Sequence, residues 1–139
     1  MSFVMSTSGS PEAGADAQPR ILDEEHLRRM TLGDRRLERE VLEIFVRHSA
    51  TTLDLILDCV AGQDPVAAAA TAHAMIGAAR GIGAWRVAQT AERVEHAAEA
   101  GGQEELDAAI AALRAASVEV NAVIGTRLAD PESRAADRA

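Results

Sequence analysis

Four short interruptions constrain this chain more than anything else in it. TLGD at 31–34, AGQDP at 61–65, GIG at 81–83 and the Gly101-Gly102 pair divide the region from 21 to 128 into five segments. In the longer segments apolar residues recur at helical spacing. The breaks carry the chemistry of helix boundaries. Asp23, Asp34 and Asp64 stand where an N-cap carboxylate accepts from the free N–H groups of a first turn, and Pro65 occupies a first helical position. Leu22 and Leu27 have the spacing of a hydrophobic staple around Asp23. The predicted elements are a short helix after Asp23, then helices over 34–60, 65–80, 84–100 and 103–128, with Gly81 to Gly83 as a tight turn. Connections this short make consecutive helices antiparallel neighbours. The expected fold is therefore all-α, an antiparallel up-down four-helix bundle with a short additional N-terminal helix.

Aromatic residues are only 2% of the 139, so the core has to be aliphatic and closely packed. Its expected stripes are Leu37, Val41, Ile44, Phe45, Leu53, Ile56, Leu57 and Val60 on the second helix, and Ala72, Met75, Ala79 and Ile82 on the third. Leu106, Ile110, Leu113, Val120 and Ile124 form the stripe of the last. Residues 1–20 and 129–139 hold too few large apolar groups to repay ordering and read as a disordered extension and a disordered tail around a bundle over 21–128.

A net charge of −8 speaks against nucleic acid and anionic membranes as partners, because no basic patch is present to displace phosphate counterions. No apolar segment reads as membrane-spanning, and the first 20 residues lack the basic start and apolar middle of a secretory signal. A cytoplasmic location is expected. Cys59, the one cysteine, lies in an apolar run and reads as a small core residue.

The chemistry concentrates in TAHAMIGAARGIGA, residues 71–84. His73 follows Ala72 and so lies about 100° round the helix from the core stripe, on a flank with Ile76, Gly77 and Arg80. Gly77 costs a helix interior about 1 kcal/mol relative to alanine, and its missing side chain leaves the imidazole approachable. His73 and Glu95 are equally distant from the turn at Ala84, so an antiparallel hairpin brings them level. A carboxylate at one ring nitrogen fixes the tautomer and turns the other lone pair outward, which prepares an imidazole nucleophile. His26 and His96 read as solvated, and His48 as a partly buried residue of the inner stripe. A di-iron centre requires Glu-x-x-His pairs, and neither Glu92 nor Glu95 has a histidine three residues on. No glycine-rich loop cradles a phosphate, so no stably bound cofactor or metal is expected.

These residues resemble the signature of histidine-containing phosphotransfer domains, the four-helix carriers of two-component phosphorelays. The family motif is Ala-His-x-Leu-Lys-Gly, then Gly-Ala six residues beyond the glycine and a Leu-Ala…Leu-Glu helix. Ala72-His73, Met75, Gly77, Gly83-Ala84, Val87-Ala88, Ala91, Val94 and Glu95 follow it in register. Gly33-Asp34, Phe45, Ile56 and Asp64 extend the likeness upstream, so that it covers roughly 21–128. The resemblance implies that His73 accepts the phosphoryl group and that Glu95 orients the imidazole. It implies response-regulator receiver domains, or a hybrid histidine kinase, as partners that bring their own Mg²⁺. Ile76, Gly77, Ala69 and Ala70 are then expected to meet the partner. One position departs: Ile76 stands where the family has a lysine that counters the phosphoryl charge, and Arg80 is the candidate to replace that cation. The alternative implied by the departure is a receiver-binding adaptor without transfer activity.

Overall fold

The computed structural model describes residues 21–130. The expected N-terminal extension and residues 131–139 of the expected tail lie outside the described residues. The described residues form five helices: α1 (Glu24–Met30), α2 (Arg35–Ala61), α3 (Pro65–Ile82), α4 (Trp85–Ala100) and α5 (Gln103–Leu128). The boundaries follow from the caps. The Asp34 carboxylate accepts from the N–H groups of Arg36 and Leu37, and Asp64 accepts from Ala67 ahead of Pro65. Such a cap contributes on the order of 1 kcal/mol. Gly83 and Gly101 close α3 and α4 in the left-handed conformation, at φ of 83° and 84°. The third helix runs one short step further than its sequence suggests: Gly81 and Ile82 are helical, and Gly83 alone makes the turn.

Each long helix packs on the next, α2 on α3, α3 on α4 and α4 on α5, while α5 returns to α2 through a thinner contact. Leu27, Leu42, Ile56, Met75, Leu113 and Ile124 are wholly enclosed, and alanines at 68, 72, 79, 84, 91 and 109 let the backbones approach. The buried face of α2 is broader than the expected stripe and leaves out two of its members. It consists of Glu38, Leu42, Phe45, Ser49, Thr52 and Ile56, whereas Leu37 and Ile44 are 38% and 54% exposed and His48 faces solvent. Of the expected stripe, Phe45 and Ile56 are core and Val41, Leu53, Leu57 and Val60 pack against it. Two polar members of the buried face find partners. Glu38 accepts two hydrogen bonds from the Arg127 guanidinium, at 2.8 and 3.1 Å, and the Ser49 hydroxyl donates to the carbonyl of Val46. Arg127 also reaches Glu24 of α1 at 3.4 Å, and Arg39 donates to the carbonyl of Leu128 at 2.7 Å. The ends of α1, α2 and α5 are thereby tied together.

The short helix α1 is locked onto the α3–α4 turn. Asp23 donates its N–H to the Gly83 carbonyl, and its carboxylate accepts from the indole N–H of Trp85 at 2.8 Å and from the N–H of His26. His26 is not solvated as expected. Its Nε2–H donates to the Arg80 carbonyl at 2.8 Å, and its ring meets Trp85 edge-on with centroids 4.8 Å apart. The Trp85 hydrogen bond, with the His26 N–H behind it, holds the Asp23 carboxyl below its ordinary 3.8. The folded form therefore favours the carboxylate more than the unfolded chain does. That contribution is complete above the ordinary value and disappears as pH falls through the lowered one. Asp23→Asn is expected to flatten the acid limb of a stability–pH curve below about pH 4, measured by urea unfolding.

Against the expectation that no segment is membrane-spanning, one helix among the described residues, α5, is long and apolar enough to cross a membrane. Its apolar residues Leu106, Ile110, Leu113, Val120 and Ile124 are packed in the core.

Candidate functional site

The imidazole of His73 stands on α3 directly across from α4. Its Nδ1–H donates to the Glu95 carboxylate, 3.2 Å from one oxygen and 3.4 Å from the other. Because a carboxylate only accepts, Nδ1 carries the proton, and in the neutral imidazole Nε2 keeps its lone pair. The His73 side chain is 72% exposed and that of Glu95 only 20%. The carboxylate is thus held against the helices while the ring projects from them. Val66, Ala69, Ala70 and Glu99 complete a shallow depression around the pair.

Equal residue counts on either side of the turn at Ala84 bring these two residues together. Residues ascend along α3 as their partners descend along α4, and His73 and Glu95 come level. Gly77 sits one turn from His73 on the outer side of α3, and a Cβ added there would meet nothing within 4 Å. Among the described residues no packing requires a glycine at this position. It leaves a gap in the surface between His73 and an apolar groove lined by Met30, Ile44, Phe45 and Ala78.

Two of the residues expected to meet a partner are placed differently. Ile76 is buried, at 4% exposure, and Ala69 at 6%. The helix lies between α2 and α4 and touches α1, so it buries a wider arc than the narrow stripe of Ala72, Met75, Ala79 and Ile82. The arc adds Ala68, Ala69 and Ile76, and spans about 140°. Ile76 therefore belongs to the core rather than to an open face. Ala69 contributes the floor of the depression beside His73, and Ala70 is exposed. The signal for Ile76 was in the sequence: it follows Ala72 by four residues, the spacing of a second core row.

Arg80 lies on the same flank as His73, two turns along α3, and donates to Glu92 of α4 at 3.1 Å. It is the only cationic residue of α3, and the whole chain contains no lysine, all of its basic residues being arginines. Sequence reasoning did not pick out Glu92 as a partner of this cation. The side chains of Glu92 and Arg80 are about half exposed, at 46% and 57%.

Neither a curated protein nor a solved structure matches this chain. Residues 40–122 match the Hpt domain family, a span that covers more than half of the chain and includes His73, Gly77, Arg80, Glu92 and Glu95. Domains of this family serve phosphotransfer in two-component systems, where they interact with receiver domains and histidine kinases. With its helical architecture and a histidine raised between α3 and α4, the chain belongs to the Hpt domain family.

Proposed function

We propose that this chain is a phosphorelay intermediate that carries a phosphoryl group on Nε2 of His73. The observation that carries the reading is the Glu95 hydrogen bond to Nδ1, with Nε2 free at the exposed edge of the ring. The aspartyl phosphate of a receiver domain would present its phosphorus to the Nε2 lone pair. The N–P bond forms as the acyl O–P bond breaks, and the electron pair of that bond leaves with the aspartate carboxylate. The Nδ1 proton stays on the ring, where Glu95 balances the positive charge the imidazole acquires. Reversal passes the group to a second receiver. The acidic pocket and its Mg²⁺ belong to the receiver, so the chain uses no bound cofactor; positioning and electrostatics supply the catalysis. Its domain comprises residues 21–128 in the up-down four-helix arrangement, working in the cytoplasm with receiver domains or a hybrid histidine kinase. Ala70 and Gly77 form the exposed approach to His73.

The test is to incubate the chain with a phosphorylated receiver and Mg²⁺. Acid-labile, base-stable label that disappears in His73→Gln supports the reading, and label that persists in His73→Gln overturns it. Gly77 separates function from folding. Gly77→Ala is expected to stabilise the domain by about 0.4–1 kcal/mol, since the added methyl meets open space in a helix. It is expected to slow receiver transfer about tenfold or more, because a misplacement of about 1 Å at the reacting centre is costly. Urea unfolding and a transfer time course measure the two effects.

The absence of lysine favours a second reading, a receiver-binding adaptor that no longer transfers. Binding of a cognate receiver with no phosphorylation of His73 would select it.

A further inference from the structure

The Arg80–Glu92 pair does not follow the register that brings His73 to Glu95. About the same turn, the residue level with Arg80 is Ala88, and Glu92 is level with Ile76. The Arg80 side chain therefore leans one turn back along α3 to meet Glu92 at 3.1 Å. Side chains on a helix tilt toward its N-terminus, which makes this lean the natural one. The guanidinium stands about level with Ile76, only about 4.5 Å along the axis from His73. Arg80 and His73 lie about 20° apart around the helix. Between them on that flank is Gly77, which places no side chain in the way.

Charge gives the guanidinium a reason to move. Glu92, Glu95 and Glu99 lie along one side of α4, with Glu95 and Glu99 in the depression around His73. A phosphoryl group adds further negative charge there, and Ile76, where the family carries its lysine, is buried and uncharged. The link to Glu92 is a half-exposed ion pair, which holds its partners weakly. A guanidinium offers a phosphoryl group two parallel donors and binds it more strongly.

We infer that Arg80 is a two-position cation: paired with Glu92 in the unphosphorylated domain, it exchanges that carboxylate for the phosphoryl oxygens when His73 is phosphorylated. Glu92 is the positioning residue that parks the guanidinium one turn from the imidazole, at the level the family lysine occupies. This rests on the assignment of His73 as phosphoacceptor.

Phosphoramidate, a small phosphoryl donor, allows the test without a receiver. The full chain is phosphorylated with it, phosphohistidine is followed by ³¹P NMR, and the Arg80 side-chain N–H resonance by ¹H–¹⁵N NMR. Phosphorylation is expected to shift that resonance, and Arg80→Ala to shorten the phosphohistidine lifetime about tenfold. Glu92→Gln is expected to shift the transfer equilibrium with a receiver toward phosphohistidine by about two- to fivefold. That gain should largely vanish in an Arg80→Ala background, which a purely electrostatic effect of Glu92 would not do. Phosphohistidine at His73 with an unmoved Arg80 resonance overturns the exchange alone. No phosphohistidine from either phosphoramidate or receiver overturns it together with the assignment of His73.

Discussion

Arg127→Ala is expected to destabilise the domain by about 2–4 kcal/mol, because it strands a buried carboxylate. Glu38 is 7% exposed, on the core face of α2, and both its oxygens accept from the Arg127 guanidinium. The Glu38 hydrogen bonds, ahead of a smaller opposing effect of burial, raise the affinity of Arg127 for its proton. The same guanidinium holds Glu24, so the substitution also loosens α1. Arg127→Lys should recover only part of the loss, since an ammonium cannot make the two-pronged contact. Exposed pairs such as Arg29–Glu25 offer a contrast: removing one is worth no more than about 1 kcal/mol. Urea unfolding of Arg127→Ala, Arg127→Lys and Arg29→Ala compares all three.

Gly83→Ala is expected to cost about 2–5 kcal/mol, from strain in the left-handed backbone and from overpacking. The residue has φ 83°, and an added Cβ would lie 2.9 Å from both the carbonyl oxygen and the Cβ of Asp23. Backbone cannot yield as the end of a flexible side chain can. The hydrogen bond from Asp23 N–H to the Gly83 carbonyl and the Trp85–Asp23 contact lie at the same junction. Relief would therefore displace α1 from the turn. Trp85 fluorescence reports that displacement, and thermal unfolding reports the stability. Gly101 also has positive φ, but nothing lies within 4 Å of its added Cβ. Gly101→Ala should therefore cost only the backbone strain, about 1 kcal/mol. The difference between the two variants isolates the contact with Asp23.

The helix boundaries and the pairing of His73 with Glu95 were legible in the sequence because both are local consequences of caps and of residue counting about a turn. Asp34, Asp64, Gly83 and Gly101 act where their chemistry says they should. What the sequence left ambiguous was the rotation of two helices about their own axes. On α2 the buried face extends beyond the apolar stripe to Glu38, Ser49 and Thr52, and the partner of Glu38 is Arg127, 89 residues away. On α3 a helix between two neighbours buries a broader arc than one apolar stripe suggests, which draws Ile76 into the core. His26 was misread for a related reason. Its partners, the Arg80 carbonyl and the Trp85 ring, come from a turn more than 50 residues further along the chain. Nothing near His26 in the sequence points to them.

The burial of Ile76 also changes the meaning of the missing lysine. A cation at 76 would have to enter the packed interior, so the position is not simply an open site that lost its charge. Arg80 approaches the same level from the next turn, over the gap at Gly77, and Glu92 holds it there.

On the proposed reading the phosphoryl group is carried on Nε2 of His73 because Glu95 occupies Nδ1. ³¹P NMR of the phosphorylated chain checks this, since the two phosphohistidine isomers resonate at different positions. A single signal of the Nε2 isomer, absent in His73→Gln, is the expected result. A signal of the Nδ1 isomer, or one that survives in His73→Gln, would contradict it.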